Sequence, residues 1–178
     1  MALALDIETA NYSHEIGGWD QTHLFEPTVV ATWDGGEGTI YVNKRSPIKH
    51  TQSGEPIIGH NIKFFDMPIL RDALDCWTAG DLLSKGEYLL DTSQILKKSV
   101  GHAVPLNDAC IHTLGEGKTM KSHDAPLEWR YENYDKVSEY CLKDAQLVYD
   151  LWQFGKDEGF VKARCRKTGE VKEYEVEW

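Results

Sequence analysis

Residues 2–9 read Ala-Leu-Ala-Leu-Asp-Ile-Glu-Thr, a short apolar run that carries two acids at its end. Residues two apart in a strand share a face, so Asp6 and Glu8 project together on the side of two small alanines. A solvated strand end would explain this pair equally well on its own. The run predicts a first strand over about residues 2–7, which presents paired carboxylates where it ends.

Two further segments place an acid among apolar side chains. In the helix predicted over about residues 65–75, Asp66 lies within the apolar stripe, although capping of the first turn is an alternative explanation. In the long helix predicted over about residues 134–157, Asp144 follows Tyr140 by one turn on the apolar face. An aspartate in mid-helix has no capping role, and its uncompensated burial costs several kcal/mol.

Convergence of these acids would require a counter-charge, because neighbouring carboxylates repel one another. Ligand sets made only of oxygen suit hard cations, and paired ions are the usual arrangement for displacement at phosphorus. The sequence therefore predicts a site for two Mg²⁺ or Mn²⁺ ions. A structural alternative remains open, in which the acids are helix caps or core hydrogen bonds, such as a Tyr–Asp pair, and bind no metal. The acids concerned are Asp6, Glu8, Asp66 and Asp144.

The bulk composition is that of a soluble protein. The chain has 178 residues, of which 41% are hydrophobic and 27% charged, and these values predict one domain with a sizeable core. We find no segment typical of a membrane span or a secretory signal, so we expect a cytoplasmic protein with reduced cysteines and no membrane partner. A net charge of −10 argues against a protein that coats DNA electrostatically, whereas a catalytic domain needs only a local cationic groove.

The order of predicted elements indicates an α/β fold, with a mixed central sheet that contains an antiparallel three-strand meander and is flanked by helices. Residues 116–131 are predicted to be irregular. Residues 1–159 are predicted to form the main domain, with residues 160–178 as a C-terminal β-hairpin extension of it. The other predicted elements are a hairpin around residues 34–38, a short strand at 56–59, a strand at 88–92, and helices ending at Lys98 and Gly115.

The motifs resemble, in order and spacing, those of the DEDD (DnaQ-like) 3′–5′ exonucleases. Residues 6–8 match the Asp-x-Glu motif, and residues 59–66 are similar to the Asn-x-x-x-Phe-Asp segment. Residues 140–144 match Tyr-x-x-x-Asp, which marks the tyrosine subfamily; the histidine subfamily would need a histidine where this chain has Glu139. The sequence Tyr-Cys-Leu-Lys-Asp-Ala at residues 140–145 is similar to the corresponding segment in the exonuclease domains of family B DNA polymerases.

The resemblance covers roughly residues 2–155 and implies a ribonuclease H-like fold that hydrolyses nucleic acid from the 3′ end, releasing nucleoside 5′-monophosphates. It implies that Tyr140 orients the attacking water. It also implies that the two metal ions are held by Asp6, Glu8, Asp66 and Asp144. The 3′-terminal nucleotide would be held by backbone groups of Thr9 and Ala10 and by Asn61 and Phe65, and a phosphate would be contacted by Lys118.

Single-stranded DNA is the expected substrate, and RNA is left open, because one sequence does not show how the 2′-hydroxyl is treated. The acidic net charge favours tethering to a helicase or polymerase subunit. A non-catalytic nucleic-acid or partner-binding module on the same fold is the alternative, and the complete set of acids and tyrosine argues against it. The segment between residues 41 and 56 is short for the family, which implies that the helix before the second motif is reduced or missing.

Overall fold

The predicted first strand forms as β1 (Leu3–Thr9), the central strand of a five-stranded sheet in the computed structural model, which describes residues 2–43 and 56–178. The implied reduction of a helix before the second motif falls mainly on residues 44–55, outside the described residues. The order across the sheet is β3 (Gly38–Val42), β2 (Pro27–Trp33), β1, β4 (Ile57–Gly59) and β5 (Leu89–Asp91).

The acidic end of β1 extends beyond the strand that pairs with one of its two edges. β1 pairs with β2 in antiparallel register from Ala4 to Thr9, with an irregularity between Glu8 and Thr9. Its described pairing with the parallel strand β4 is confined to Leu3 and Ala4. The backbone of β1 therefore continues past β4, and other groups can reach its last residues.

Six helices cover the two faces of this sheet in the described ranges. Gly115 and Gly159 end the fourth and sixth of them in the left-handed conformation, with φ of 75° and 79°, and the end at Gly115 is the one predicted from the sequence. The helices are α1 (Asp66–Ala73), α2 (Trp77–Lys85), α3 (Thr92–Val100), α4 (Leu106–Leu114), α5 (Ala125–Arg130) and α6 (Tyr134–Glu158).

Alternate residues along positions 2–7, most of which belong to β1, enter different parts of the core. Ala2 and Ala4 pack in a cluster with Leu147 of α6, whereas Leu5 and Ile7 belong to a cluster formed with α1 and α2. This alternation matches the two faces predicted from the sequence. The side that carries the alanines, and therefore Asp6 and Glu8, is the side of α6.

The C-terminal hairpin consists of β6 (Phe160–Arg164) and β7 (Val171–Glu175), paired antiparallel. Val161 and Ala163 are fully buried in the cluster that also contains residues of α4 and α6. The alternate residues Lys162 and Arg164 lie on the other face of β6. The hairpin thus adds apolar side chains to the cluster that also contains Ala2 and Ala4.

The predicted mixed α/β architecture, with its meander and C-terminal hairpin, is confirmed. The prediction that residues 116–131 are irregular is wrong for the last part, where α5 follows a 3₁₀ turn at Ser122–Asp124. Ala125 is fully buried in a cluster with Val137 and Tyr140 of α6, so packing stabilises a helix that is too short for a periodic signal. Pro126 lies in its first turn, where proline is tolerated.

No pattern in the sequence predicts α2. Its interior glycine, Gly80, and the β-branched Thr78 lower intrinsic helix propensity, while Ala79 and Leu82 are buried in the cluster that includes α1. Tertiary packing therefore decides this helix. No helix in the described residues combines the length and the apolar character that crossing a membrane requires.

Candidate metal centre

A cleft of about 1070 Å³ opens where β1 ends, and all four predicted acids line it. Asp6, Glu8 and Asp144 offer carboxylate oxygens that lie within 4.8 Å of one another. Asp66 belongs to the same cleft but not to this close group. The fold thus brings together residues from its first strand and its longest helix, as the sequence predicts.

Small side chains allow α6 to approach β1 closely. Cys141 and Ala145 of α6 are fully buried, as is Ala4 of β1. The thiol of Cys141 donates to the carbonyl oxygen of Asp6 at 3.4 Å, so the helix backbone lies directly over the acidic end of the strand. Asp144, which is almost completely buried, is thereby directed at Asp6.

Asp66 reaches the site from α1, whose first residue it is. Its carboxylate accepts the backbone N–H of Ile7, which becomes accessible because the pairing of β1 with β4 has already ended, and its own backbone N–H. Burial raises the pKa of Asp66 to about 7 against the lowering effect of these two N–H groups. Asp66 therefore ties α1 to β1 as well as adding a fourth carboxyl group.

The close group of acids resists ionisation. Burial, followed by the negative charges of Asp144, Glu8 and Asp66, holds the pKa of Asp6 well above its ordinary value. Burial and Asp144 do the same for the pKa of Glu8. Burial also raises the pKa of Asp144, against the effects of Lys118 and of a hydrogen bond from Tyr140. A cation in this position would reverse the balance and favour the ionised forms.

Two oxygens of this group fit a bound cation particularly well. Oδ2 of Asp6 and Oδ1 of Asp144 are buried, and neither has a hydrogen-bond partner among the described residues. Buried acceptors without partners are costly, and hard divalent cations bind such carboxylate oxygens. The donor set of Asp6, Glu8 and Asp144 therefore fits Mg²⁺ or Mn²⁺.

Lys118 places an ammonium group inside the acidic cluster. Its Nζ donates to Oδ2 of Asp144, to the Tyr140 hydroxyl at 3.0 Å and to Oγ of Ser122 at 3.2 Å. Burial disfavours the charged ammonium, but the charges of Asp144 and Asp6 outweigh this effect and raise the pKa of Lys118. The expected phosphate contact of Lys118 stays a prediction, since in this structure the group pairs with the acids.

Tyr140 is buried beside these groups, and only 1% of its surface is exposed. Its hydroxyl lies 3.0 Å from the Ser122 hydroxyl as well as 3.0 Å from the Lys118 ammonium. Burial and the charge of Asp144 raise the pKa of Tyr140 well above its ordinary value. The phenol is therefore protonated at neutral pH and can act as a hydrogen-bonding group.

The second motif is held by a carboxylate that sequence reasoning did not select. Asn61 has a positive φ of 74°, an unusual conformation for a residue with a side chain. Asp91 stabilises this turn by accepting the N–H groups of Asn61 at 3.0 Å and Lys63 at 3.1 Å, and it also caps α3. As a result Asn61 and Phe65 both line the cleft.

The first motif continues into a segment whose backbone is already engaged. Thr9 lines the cleft and donates its hydroxyl to the carbonyl oxygen of Asn11 at 3.0 Å. Ala10 donates its N–H to Glu26 at 2.8 Å and accepts Nε–H of Arg130 at 3.0 Å. The structure does not place Ala10 among the residues that line the cleft, so its predicted nucleotide contact has no structural support here.

Aromatic residues of the segment between β1 and β2 also border the cleft. Trp19 lies beside Phe65, with 5.6 Å between the ring centroids, and Tyr12 stacks on His14 at 5.2 Å. Sequence reasoning did not select Trp19, although the Gly-Gly-Trp sequence close after the first acidic motif is an available signal. Arg130, which ties this segment to α5, was also missed, because the contact spans distant parts of the chain.

No protein-family model matches this chain, and the search of curated proteins found no match. Among solved structures, the family B DNA polymerase from the hyperthermophilic archaeon Pyrobaculum calidifontis matches 87% of this chain with a TM-score of 0.62 and 15% sequence identity. The match covers 24% of that polymerase chain. The chain is therefore similar in fold to part of a family B DNA polymerase.

Proposed function

We propose that this chain is a metal-dependent 3′–5′ exonuclease of the tyrosine DEDD type, which acts on single-stranded nucleic acid, with DNA favoured over RNA. The observation that carries the proposal is the convergence of three carboxylates from β1 and α6, two of them with buried, unpartnered oxygens. The similarity in fold to part of a DNA polymerase supports a function related to nucleic acid.

Asp6, Glu8 and Asp144 would hold one ion, and Asp66 with Asp6 would hold the second. Bound Mg²⁺ or Mn²⁺ would polarise the phosphate and lower the pKa of a coordinated water. In the reaction the water oxygen bonds to the terminal phosphorus while the bond to the preceding 3′ oxygen breaks. The products are a nucleoside 5′-monophosphate and a strand with a new 3′-hydroxyl.

Tyr140 would orient the attacking water through its hydroxyl. A phenol whose pKa is raised by burial does not serve as a strong base at neutral pH, so a hydrogen-bonding role suits it better than proton abstraction. Lys118 would supply positive charge to a phosphate oxygen once metal ions have taken over its pairing with Asp144. Thr9, Asn61 and Phe65 line the cleft and would hold the terminal nucleotide.

A non-catalytic nucleic-acid-binding module is the second candidate. It is favoured by the Lys118 ammonium, which partly neutralises the acidic cluster without any metal. In either case we propose tethering to a helicase or polymerase subunit, because a net charge of −10 disfavours binding to DNA by this chain alone.

Single-stranded, blunt and 3′-recessed oligonucleotides, labelled at the 5′ end and made in DNA and RNA, test the proposal. Each is incubated with Mg²⁺, Mn²⁺ or EDTA. We expect a metal-dependent ladder that shortens from the 3′ end and disappears in Asp6→Asn and Asp144→Asn. Asp135→Asn, on the exposed start of α6, is the matched control and should retain activity.

Calorimetric titration with Mn²⁺ separates the candidates. The exonuclease proposal requires Mn²⁺ binding that Asp144→Asn weakens and Asp135→Asn does not. A folded wild-type protein that binds oligonucleotides but neither binds Mn²⁺ nor degrades any substrate would favour the binding module. Degradation that persists unchanged in Asp144→Asn would contradict the assigned centre.

A further inference from the structure

Trp19 is a large aromatic residue that remains 66% exposed within the wall of the cleft. Its ring is supported from behind by two phenylalanines. The ring centroids are 6.1 Å from Phe25, at an interplanar angle of 30°, and 5.6 Å from Phe65, at 70°. Phe25 is itself almost fully buried at 3% exposure, so the indole rests on the core while much of its surface faces solvent.

The backbone before Trp19 is built to hold it in this position. Gly17 and Gly18 have φ of 94° and 139°, conformations that side chains disfavour. The N–H of Gly18 donates to the carbonyl oxygen of Ser13 at 2.8 Å, which closes the turn. The exposed indole is therefore presented by a defined turn and by ring contacts rather than by a loose chain.

The position of Trp19 connects it to the acidic centre. Phe65, which its ring contacts, immediately precedes Asp66 in the chain, and both residues line the cleft together with Asp6 and Glu8. A strand whose 3′ end lies at the acids would therefore run along a wall that includes the indole. An exposed aromatic ring stacks on a nucleic-acid base without reading its sequence.

We propose that Trp19, backed by Phe25 and Phe65, is a stacking platform for an unpaired base of the substrate strand. The proposal rests on the proposed function and specifies its substrate, because a base can stack on the indole only if it leaves its neighbours in the strand. The platform thus favours single-stranded ends over duplex ends. It binds and positions the strand and takes no part in the chemical step.

Fluorescence anisotropy of short labelled single-stranded DNA oligonucleotides measures this role without hydrolysis, in EDTA and in Ca²⁺. Trp19→Ala should raise the dissociation constant about 5- to 150-fold, the range for loss of one stacked base. Trp19→Phe should recover most of the affinity. Trp77→Ala is the matched control, because Trp77 is 78% exposed on α2 and is not among the residues lining the cleft.

Oligonucleotides with a single abasic residue at successive positions from the 3′ end then locate the stacked base. At one position the abasic residue should weaken binding to the wild type and remove the difference between wild type and Trp19→Ala. Equal affinities of wild type and Trp19→Ala for the intact strand would overturn the platform. The platform would also be overturned if Trp19→Ala bound more weakly than the wild type at every abasic position, or if the wild type did not bind the strand at all.

Hydrolysis by the wild type in Mn²⁺, measured in parallel, keeps the two proposals distinguishable. If the wild type degrades DNA and Trp19→Ala binds the strand as tightly as the wild type does, the platform alone is overturned. Binding that depends on Trp19 and on one base, without hydrolysis under any metal condition, overturns the exonuclease and leaves the platform intact.

Discussion

Lys118 and Asp144 form an ion pair within the candidate centre, where the lysine side chain is 17% exposed and the aspartate 1%. Removing one partner of a buried pair leaves the other charge uncompensated, which is more damaging than the loss of a surface pair. The same ammonium also donates to Tyr140, so one side chain supports both the acid and the phenol. Its contribution should therefore depend on whether another cation occupies the site.

We expect Lys118→Met to lower the free energy of unfolding by about 3 kcal/mol in EDTA, because Asp144 loses its counter-charge. Saturating Mn²⁺ should reduce this difference, because the metal then compensates the acids. Lys143→Met removes the more exposed pair with Glu116 and should cost less than about 1 kcal/mol in both conditions. Urea unfolding measures both variants, and an equal loss with and without Mn²⁺ would contradict the counter-charge role.

Asp66 predicts a pH dependence with a definite sign. Its pKa is about 7 in the folded protein against an ordinary value of 3.8, so the folded state binds more protons than the unfolded state between these values. Stability from this group is thus fully present below the unfolded pKa and is lost as the pH rises through about 7. At higher pH the ionised carboxylate is a fixed destabilising charge unless metal is bound.

In EDTA, the unfolding free energy of the wild type relative to Asp66→Asn should fall by up to about 4 kcal/mol between pH ~4 and ~7. Asp72→Asn provides a control of opposite sign on the same helix. A hydrogen bond from Arg71 lowers the pKa of Asp72, so its stabilisation is lost as the pH falls. If the unfolding free energy of the wild type relative to Asp66→Asn stayed constant or rose with pH, the assignment for Asp66 would be refuted.

At the scale of elements, the site depends on how closely α6 packs against β1. Cys141 and Cys110 are both fully buried residues of helices, but only Cys141 contacts the backbone of Asp6. Cys110 instead donates to the carbonyl oxygen of Leu147 at 3.7 Å, in the contact between α4 and α6. These two cysteines allow the effect of overpacking at the site to be separated from overpacking in general.

We expect Cys141→Leu and Cys110→Leu each to destabilise the fold by about 1–3 kcal/mol, since the added volume has no space. Only Cys141→Leu should also weaken Mn²⁺ binding tenfold or more, because it moves Asp144 away from Asp6. Thermal melts and calorimetric titration measure the two effects. Similar losses of Mn²⁺ affinity in both variants would show that the site responds to general strain rather than to this contact.

The parts that could be predicted from the sequence are those determined by local periodicity. Alternation along β1 placed Asp6 and Glu8 on one face, and helical spacing placed Asp144 beside Tyr140. The turn at Asn61 could not be predicted in this way, because Asp91 stabilises it from another strand. Likewise, the formation of α2 and α5 depends on packing against the neighbouring helices α1 and α6 rather than on their own patterns.

At the scale of the whole molecule, the C-terminal hairpin contributes to the core. Val161 is fully buried, whereas Val171 on the paired strand is 43% exposed. Trp178 also packs on α6 so closely that a side chain at Gly155 would collide with its indole. The hairpin is therefore expected to unfold together with the domain rather than separately.

Val161→Ala should lower the free energy of unfolding by about 1–3 kcal/mol through lost burial and a cavity. Val171→Ala, the matched exposed position, should change it by less than about 0.5 kcal/mol. Urea unfolding followed by far-ultraviolet circular dichroism should show one transition for both variants. A separate early transition in Val161→Ala would show that the hairpin is an independent unit.

Because the centre combines residues of β1 and α6, it can form only late during synthesis on the ribosome. Translation produces β1 first and reaches α6 only after the intervening strands and helices. Until Asp144 emerges and α6 docks, Asp6 and Glu8 lack the third carboxylate of their close group. A nascent chain, or one cut short before α6, therefore has no complete centre until α6 has been made and has docked on β1.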